Sequence, residues 1–526
     1  MVTMGAPKAN HDALLLWVDR LEQDSEYLER FSLEEILKGK VTLLNESGSP
    51  GGKNWNHADK SHLWNFNLHY LEFLIPLAGA YRREQDVRYY RCFRRYCKSW
   101  MRDNQEGTGD GWHPYTISLR LTNLWICLDG FGKVVQMDME FLQELENSMY
   151  AQYRHLQKHL ERHLLGNHYF ENLKAIVLGA LYFQEPEIYQ TYKELLIEQM
   201  KEQILADGIH YERSMMYHKI ILEDLIRLGI AVMGEDEVFY EEIWNTLKNM
   251  SDAMYSMEED MGHTPLFNDA GDQVARPYRS LVVSVLMCFA IFPDWKVAFK
   301  EAGYYCLKND NLKLVLDAGE IGPDYMPGHG HCDGLSFELS WNGQPLFVNS
   351  GTGLYQGPLR SYFRSTAAHN TVVIDGEEQS MCWGEHRVGK RIHHVSGACG
   401  ENWVKGSLTT CTGRHHARKI SVKKEEEGFC LWILDKVEGQ ATAYLHLAPE
   451  YEYRQKGQTI LVKYAGRDIR RVCEIRAEDA DQIKIHKEGI LCSYAPEFGK
   501  IIQKQVLQIS WDGDGSAHRI QIRFYT

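Results

Sequence analysis

Residues 322–387 read GPDYMPGHGHCDGLSFELSWNGQPLFVNSGTGLYQGPLRSYFRSTAAHNTVVIDGEEQSMCWGEHR. This segment alternates short apolar runs with glycine-rich turns, a pattern that is typical of β-strands. Its polar side chains include His329, His331, Asp333, His369 and His386. Polar residues beside such turns are expected at the rim of a sheet, where a rigid scaffold holds loops that carry chemistry. The segment therefore predicts a β domain with a functional site at its edge.

The most specific feature of this segment is the sequence His329-Gly330-His331. Alternate residues of an extended chain point to the same side, so both imidazoles could meet one ligand or one metal ion. Asn349 and His369 follow on separate predicted strands. Two histidines with an amide or carboxylate oxygen would suit zinc. The alternative is a loop without a ligand, in which Asp333 is an ordinary turn residue.

The whole chain divides into a helical part and a β part. From residue 11 to about 300, apolar residues recur at spacings of three and four, as expected for helices. The clearest predicted helices are 62–81, 116–131, 167–183, 214–232 and 279–292. From about residue 310, short β-rich runs are separated by turns such as Asn342-Gly343. We predict an α+β multidomain protein, with paired helices forming an (α/α) toroid over residues 1–305 and an antiparallel β-sandwich over residues 306–526.

The composition excludes several classes of protein. The 526 residues are 44% hydrophobic and 25% charged, which is ordinary for a soluble protein of two domains. No apolar run reaches about 18 residues, so no membrane span is expected. The formal net charge of −14 argues against nucleic acid as a partner. An anionic substrate stays compatible with this charge, because cations are concentrated at Arg360, Arg364, Arg387, Lys390 and Arg391.

The N-terminus and the cysteines bear on localisation. Residues 1–31 lack the basic patch, long apolar core and cleavage site of a secretory signal, and they are predicted to form an amphipathic helix. This favours a cytoplasmic protein, or a periplasmic or secreted one from which a leader has been removed. The 12 cysteines are scattered singly without a CxxC pair, which indicates reduced core residues.

A first polar constellation of the helical part is Asn167-His168-x-x-Glu171-Asn172. On a helix, His168, Glu171 and Asn172 share one face at spacings of three and four. Such a polar face, in a helical array with a concave centre, is where ligand contacts are expected. The alternative is that the two asparagines cap the helix or face solvent.

A second constellation surrounds Tyr217. Ser214 is expected to cap a helix whose first turn carries Tyr217 and His218. The positive end of the helix dipole favours a phenolate, which predicts that the pKa of Tyr217 lies below its reference value of about 10. The alternative is a core tyrosine whose hydroxyl is satisfied within the protein.

A third constellation, Phe267-Asn268-Asp269-Ala270-Gly271-Asp272, places two carboxylates three residues apart. A metal loop or a pair of glycosidase carboxylates would fit this spacing. Asn-Asp-x-Gly is also common in turns, and a turn is the interpretation we favour.

The tryptophans of the helical part alternate with polar residues, namely Trp55, Trp64, Trp112 and Trp125 with Asn65, Asn67 and Arg120. Aromatic rings interleaved with polar groups are consistent with sugar stacking in a cleft. Core packing of the same tryptophans is the alternative.

Five stretches, NHYFENLKA, YERSMMYH, FNDAGD, GPDYMPGHGHCDGLSFEL and STAAHNTVVIDG, follow one another along the chain. With these stretches the sequence resembles the heparinase II/III-like polysaccharide lyases over most of its length. The resemblance implies an (α/α) toroid followed by an antiparallel β-sandwich. It also implies β-elimination on a uronic acid-containing polysaccharide, with heparin, heparan sulfate, chondroitin or hyaluronan as the first expectation. Alginate and bacterial exopolysaccharides are the alternative substrates.

The resemblance further implies roles for individual residues. Tyr217 is expected to be the general acid and also a base, His329 a second base, and Asn167 and His168 the residues that hold the uronate carboxylate. The expected substrate contacts are Glu171, His218, Arg364, Tyr355, Trp112 and Arg120. A structural zinc ion is expected at His331, Asn349 and His369, and no organic cofactor is expected. Asn349 stands where the family pattern has Asp, so weaker zinc binding is predicted.

Two other functions stay open at the level of sequence. A glycoside hydrolase on the same helical scaffold would use two carboxylates from Glu212, Asp269 and Asp272. A glycan-binding protein without catalysis would keep the fold and lose turnover. In each case the expected partner is an acidic polysaccharide or oligosaccharide, with neither nucleic acid nor a membrane, and the sequence leaves a homodimer open.

Overall fold

The computed structural model describes residues 6–426, 428–466, 471–512 and 517–525. The chain forms two compact units. The helical unit comprises Met1–Gln203, Ile220–Lys248 and Arg279–Phe292, and the β unit comprises Ile204–Lys219, Asn249–Tyr278 and Pro293–Thr526. Helices Met215–Val232 and Glu237–Glu258 each supply residues to both units.

The longer helices are His62–Tyr70, Ile75–Glu84, Val87–Asp103, Pro114–Phe131, Met139–Lys158, Gly166–Tyr182, Pro186–Gln203, Met215–Val232, Glu237–Glu258 and Tyr278–Phe289. Shorter helices are Asp19–Glu22, Ser25–Leu28, Leu33–Leu37, Lys133–Met137 and Pro358–Phe363. Within the helical unit, Pro114–Phe131 packs against four other long helices. Apolar side chains cover most of its circumference, as expected for a helix surrounded by others.

Two predicted helices differ from the observed ones. The predicted helix 62–81 is divided because Leu71 adopts a left-handed conformation, with φ of 56°, and ends the first segment at Tyr70. Within the described part of residues 1–31, two short helices, Asp19–Glu22 and Ser25–Leu28, form in place of the predicted amphipathic helix. Leu14, Leu16 and Val18 are buried on alternate positions, and the Trp17 amide donates to Asp129 at 2.7 Å. Residues 14–18 are therefore extended, and the Trp17 amide finds its hydrogen-bond acceptor in a side chain of the helical unit.

The β unit contains antiparallel sheets. One has five strands in the order Ala298–Phe299, Tyr304–Lys308, Leu312–Asp317, Phe337–Trp341 and Gln344–Phe347. An eight-stranded sheet runs in the order His393–Gly400, Trp403–Thr409, His415–Glu425, Gly428–Val437, Ala517–Tyr525, Arg471–Ala477, Thr459–Tyr464 and Tyr451–Lys456. A four-stranded sheet orders Gln482–His486, Val506–Trp511, Ala441–His446 and Val372–Ile374. Two-stranded pairs of this unit are Cys382–Trp383 with Arg387–Val388, and Ser493–Glu497 with Lys500–Gln503. A further pair, Val41–Leu43 with Glu46–Gly48, belongs to the helical unit.

The sheets explain where polar groups collect. Burial alternates along strands such as His415–Glu425, so one face of the strand packs in the core. Polar side chains that could form a site are therefore expected in the connections between strands. The connection between Leu312–Asp317 and Phe337–Trp341 carries His329, His331 and Asp333. The predicted fold class, helices followed by antiparallel sheets, is confirmed, while the exact boundary at residue 305 stays a prediction. No helix within the described ranges combines the length and the hydropathy needed to cross a bilayer.

Candidate active site

Tyr217 lies in the first turn of helix Met215–Val232, and its side chain meets two others in the β unit. Its hydroxyl is 2.7 Å from the hydroxyl of Tyr355. Its ring centroid is 4.4 Å from that of His329. Ser214 precedes the helix, as predicted for a cap, and its hydroxyl donates to the Asp269 carbonyl at 2.7 Å. Three ring side chains from separate segments thus converge on one point.

The acidity of Tyr217 differs from the prediction. Tyr217 is 7% exposed, and burial raises its pKa well above the ordinary value, with Tyr355 and Glu212 adding to the effect. The predicted acidification by the helix dipole is therefore wrong, because loss of hydration outweighs the dipole. At neutral pH the Tyr217 hydroxyl keeps its proton.

His329 is oriented by a buried carboxylate. Its Nδ1 lies 2.9 Å from Oδ2 of Asp269, and the His329 side chain stays 19% exposed. Because an ionised carboxylate accepts hydrogen bonds only, Nδ1 carries the proton and Nε2 carries the lone pair. The His386 ring lies 5.5 Å from that of His329 and 5.1 Å from that of Tyr355. The imidazole is thus held with one basic nitrogen free of Asp269.

Asp269 is the centre of this cluster. It lies in a bend after Asn268, whose φ is 55°, but its carboxylate does more than stabilise a turn. Its carboxylate has no exposed surface and accepts hydrogen bonds from both terminal nitrogens of Arg360, from His331 and from Thr352. Burial alone would raise the pKa of Asp269, but the guanidinium of Arg360 and the two histidines hold it well below its usual range. Asp269 is therefore ionised at neutral pH. It is too enclosed to serve as the general acid of a hydrolase.

A second buried group contains His331, Asp333 and His369, each of which offers a ligand atom within 4.8 Å of the others. His331 Nδ1 and His369 Nε2 are 3.3 Å apart. The remaining polar atoms are anchored elsewhere: His331 Nε2 by Asp269, His369 Nδ1 by the Ser365 carbonyl at 2.8 Å, and Asp333 Oδ2 by the Asn268 amide at 2.7 Å. Such outer bonds are characteristic of metal ligands. Burial lowers the pKa of His331 to about 4 and raises that of Asp333 to about 6.

The third predicted metal ligand, Asn349, is used differently. Its Oδ1 accepts from the Asn370 amide at 3.1 Å, and its Nδ2 donates to Ser336 at 3.3 Å. Both ends of the amide are thus engaged within the protein. The structure places Asp333, which the sequence left open as a turn residue, beside the two histidines instead.

The His329 side also forms a group with Asp269 and His386. This group is a poor candidate for a cation, because Arg360 already neutralises Asp269. A metal ion there would face a guanidinium at close range.

The helical unit holds a separate polar cluster around Glu161. Glu161 Oε1 is 2.9 Å from His168 Nδ1, and Oε2 accepts from Asn172 at 3.0 Å. His168 stacks on Tyr115 with ring centroids 4.2 Å apart. Burial would raise the pKa of Glu161, but His168, Asn172 and His113 hold it below its usual value. Asn167 precedes His168 in the first turn of helix Gly166–Tyr182 and is buried.

Several predicted substrate contacts are enclosed in the protein. Arg120 has no exposed surface and donates to the carbonyls of His69 and Gly111 and to Gln152. Trp112 is 6% exposed. A guanidinium whose donors all bind protein oxygens stabilises the helical core, and this environment does not support the predicted sugar contact of Arg120.

Three further predicted contacts also have partners inside the protein. Glu171 pairs with Lys174, which also pairs with Asp224. His218 lies 3.0 Å from the Met250 carbonyl through Nε2, and burial lowers its pKa to about 3. Arg364 donates to the Gly330 carbonyl at 3.0 Å and so holds the loop that carries His329 and His331. All three side chains are thus engaged within the protein, and Arg364 supports the loop of the His329 cluster.

Comparison with known protein families decides the assignment of the chain. The family model described as Heparinase II/III N-terminus matches residues 45–297, and the one described as Heparinase II/III-like, C-terminal matches residues 295–524. The chain belongs to the heparinase II/III-like family. The resemblance read from the motifs is thereby confirmed.

Two relatives found by sequence comparison are named heparin-sulfate lyases. The chain is 24% identical over 362 residues to a heparin-sulfate lyase of Pedobacter heparinus. This alignment covers 61% of this chain and 53% of the relative. It is 23% identical over 403 residues to a heparin-sulfate lyase of Bacteroides thetaiotaomicron, with coverages of 66% and 57%. The matched part thus spans little more than half the length of these relatives. Among solved structures, heparinase III is similar with a TM-score of 0.73 and 18% identity, over 100% of this chain and 88% of that one.

Four residues of these clusters were not identified from the sequence as site residues. Asp269 and Asp333 were assigned to turns or left open, Arg360 was noted only as one cation among several, and Glu161 was not noted. Asp269 and Asp333 carried a usable signal, namely their places in stretches shared with the family, FNDAGD and GPDYMPGHGHCDGLSFEL. Arg360 could not be found from local sequence because its partner Asp269 is 91 residues away, whereas Glu161 lies only seven residues from His168 but outside any of the family-like stretches.

Proposed function

We propose that this protein is a lyase that cleaves a uronic acid-containing, sulfated glycosaminoglycan by β-elimination. The single observation that carries the proposal is the contact of the Tyr217 and Tyr355 hydroxyls beside His329, whose Nδ1 is fixed by Asp269. The names of the relatives support heparin or heparan sulfate as the substrate. Such a polymer supplies the uronate that elimination requires.

His329 is the proposed base. Elimination removes the proton on the carbon next to the uronate carboxylate and expels the sugar linked through O4, without consuming water. Asp269 fixes the proton on Nδ1, so Nε2 presents its lone pair to that carbon-bound proton. The imidazolium that forms is stabilised by the anionic Asp269, which the guanidinium of Arg360 keeps ionised.

Tyr217 is the proposed acid. Its hydroxyl keeps its proton at neutral pH, so it can donate to the oxygen of the departing sugar. Tyr355, at 2.7 Å, is placed to hydrogen-bond the phenolate left behind and to return a proton to it. The division of labour differs from the expected double role of Tyr217, because a hydroxyl that keeps its proton at neutral pH has a proton to donate and offers no phenolate to accept one.

That Asn167 and His168 hold the uronate carboxylate stays a prediction from the family resemblance. Neutralising this carboxylate makes the neighbouring carbon more acidic, because the developing dianion is stabilised where its charge accumulates. Glu161 holds Nδ1 of His168 at 2.9 Å and so fixes the orientation of the ring.

The proposal is tested by following the ultraviolet absorbance of unsaturated uronate with heparin, heparan sulfate, chondroitin, hyaluronan and alginate. Wild type, Tyr217→Phe and Tyr453→Phe are compared. Tyr453 is a matched control, since it is also buried and its hydroxyl donates to a carbonyl, that of Leu445, at 3.0 Å. We expect wild type to raise the absorbance with at least one polymer. The rate of this increase should fall about 10²–10⁴-fold in Tyr217→Phe and should stay near the wild-type rate in Tyr453→Phe.

Other outcomes distinguish the remaining functions. New reducing ends without absorbance would establish hydrolysis and overturn the proposal. Binding of a polymer without either product would indicate a glycan-binding protein. An equal loss of activity in Tyr217→Phe and Tyr453→Phe would indicate that loss of any buried hydroxyl impairs folding. It would then contradict the assignment of Tyr217 as the acid.

We also propose that a zinc ion binds at His331, Asp333 and His369. Two imidazoles and a carboxylate, all buried and each anchored by an outer hydrogen bond, fit the donor preference of zinc. When bound, zinc would cross-link the loop of His331 to the segment of His369 and stabilise both. Metal analysis of purified wild type should detect zinc, and His369→Ala should lose it and lower the melting temperature. Zinc retained in His369→Ala would contradict this site.

A further inference from the structure

A short hairpin over residues 381–389, the 381–389 hairpin, stands beside the Tyr217–His329 cluster. Its strands Cys382–Trp383 and Arg387–Val388 pair antiparallel, with Trp383 opposite Arg387. The Gly389 amide donates to the Met381 carbonyl at 2.8 Å and extends the ladder. Residues 384–386 form the turn.

The turn of this hairpin is fixed to the cluster. Arg360, which binds Asp269, also donates through Nε to the Glu385 carbonyl at 3.0 Å. Arg364 donates to the same carbonyl at 3.4 Å. His386, next in sequence, contacts the rings of His329 and Tyr355. The exposed strands therefore continue directly from the reacting centre.

Trp383 forms a fixed platform on this hairpin. Its side chain is 53% exposed although it is the largest apolar group of the segment. Opposite residues and their diagonal neighbours share a face of an antiparallel pair, which places Trp383, Arg387 and Gly389 on one side. A Cβ added to Gly389 would lie 2.7 Å from a carbon of the indole. The ring thus rests on the glycine backbone, so its exposure does not come from a loosely held side chain.

Arg387 supplies a cation on the same face. It is exposed, and among the described residues no carboxylate lies within ion-pair distance of its guanidinium. An indole face packs on the apolar C–H face of a pyranose, and a guanidinium binds sulfate or carboxylate through paired hydrogen bonds. Together the two groups match a sugar that carries an anionic substituent.

We propose that the exposed face of the 381–389 hairpin is a subsite for an anionic pyranose of the polymer, with Trp383 stacking on the ring and Arg387 binding its sulfate or carboxylate. The placement of this subsite next to a cleaved linkage rests on the proposed lyase function. Its capacity to bind the sugar does not.

The experiment compares Trp383→Ala, Trp383→Phe and Arg387→Ala with the control Trp403→Ala. Trp403 is matched because it also lies over a glycine, Gly400, in a sheet of the same unit, and it takes no part in the clusters described above. For each variant kcat and KM are measured on long heparan sulfate and on a short oligosaccharide that holds one cleavable linkage. Affinity for the long polymer is measured separately in the Tyr217→Phe background, where turnover is suppressed.

We expect Trp383→Ala and Arg387→Ala each to raise KM for the long polymer about tenfold, with kcat changed less than about twofold, since they would lose uniform binding. The short oligosaccharide should show a smaller change, Trp383→Phe should restore part of the affinity, and Trp403→Ala should match wild type. Unchanged KM and affinity in Trp383→Ala, or an equal loss in Trp403→Ala, would overturn the subsite.

The two proposals fail in distinguishable ways. If wild type releases unsaturated product but Trp383→Ala binds normally, the lyase stands and the subsite falls. If wild type releases no such product from any polymer while Trp383→Ala loses affinity, the subsite stands and the lyase falls.

Discussion

The molecule contains two carboxylate–histidine pairs of the same local geometry. In the helical unit Glu161 lies 2.9 Å from Nδ1 of His168, and in the β unit Asp269 lies 2.9 Å from Nδ1 of His329. Their surroundings differ. Asp269 is clamped by the guanidinium of Arg360, whereas Glu161 is bonded by an amide and by histidines.

This difference determines how each pair responds to its environment. A guanidinium stays charged at every accessible pH, so it holds Asp269 ionised independently of the histidines. The ionised form of Glu161 is stabilised instead by the neutral amide of Asn172 and by two histidines, His168 and His113. The same motif therefore gives a carboxyl whose pKa is held well below its usual range in one unit and a carboxyl whose pKa is lowered in the other.

The largest effect is expected from Asp269→Asn. This change leaves the guanidinium of Arg360 buried without a counter-charge, which should cost about 3–5 kcal/mol of unfolding free energy. Urea unfolding of wild type and variant measures the difference. Asp272→Asn serves as the control, because Asp272 is only half buried and accepts one amide hydrogen bond, from Thr264. Equal stability of the two variants would show that Arg360 does not require its partner.

Glu161→Gln is expected to cost less, about 1–3 kcal/mol, because the amide keeps an acceptor and no guanidinium is stranded. The measurement is the same urea titration. A loss as large as that of Asp269→Asn would erase the distinction between the pairs.

The pH dependence sharpens the comparison. Both carboxyls have folded-state pKa values below their unfolded values, so each contributes stability above about pH 4 and loses it as the pH falls through its folded-state pKa. The pKa of Asp269 is held well below its usual range, so its contribution should persist further into acid. Melting temperatures of wild type and both variants, taken from neutral pH downward, should converge first for Glu161→Gln. Earlier convergence for Asp269→Asn would reverse the assignment.

The smallest effect is expected from Thr352→Val. Thr352 provides the longest of the hydrogen bonds to Asp269, at 3.2 Å, and three other side chains remain, so about 0.5–1.5 kcal/mol should be lost. Thr352→Ser keeps the hydroxyl and should stay closer to wild type. Should Ser prove as destabilising as Val, the methyl group rather than the hydroxyl would be the stabilising element.

Sequence patterns predicted some parts of this structure well. Helices such as Pro114–Phe131 and Gly166–Tyr182 follow the apolar period within a few residues, since burial on one side dictates that period. Tyr217 and His329 were identified because they lie in family-like stretches. Their chemical roles stay predictions.

Other parts depend on contacts that no local pattern encodes. Asp269 resembles a turn residue in sequence because Asn-Asp-x-Gly is common in turns, and the same letters give no sign that its carboxylate is a buried acceptor. The contact with Arg360 distinguishes a buried, paired Asp269 from a turn residue. Arg360 is 91 residues away, so the residues next to Asp269 do not reveal this contact. The N-terminal segment likewise has helical spacing in part, but the side chains that satisfy its backbone come from much later in the chain.

Gly389 carries a consequence for the mutability of the protein. Its φ lies outside the left-handed region, and the position is half buried on a surface hairpin, so backbone conformation alone would permit any residue. The indole of Trp383 occupies the space of the missing side chain. In a saturation library selected for binding of heparan sulfate, residues with a side chain should therefore be depleted at position 389 relative to its neighbour Lys390. Surface accessibility would then be a poor guide to which codons selection leaves unchanged.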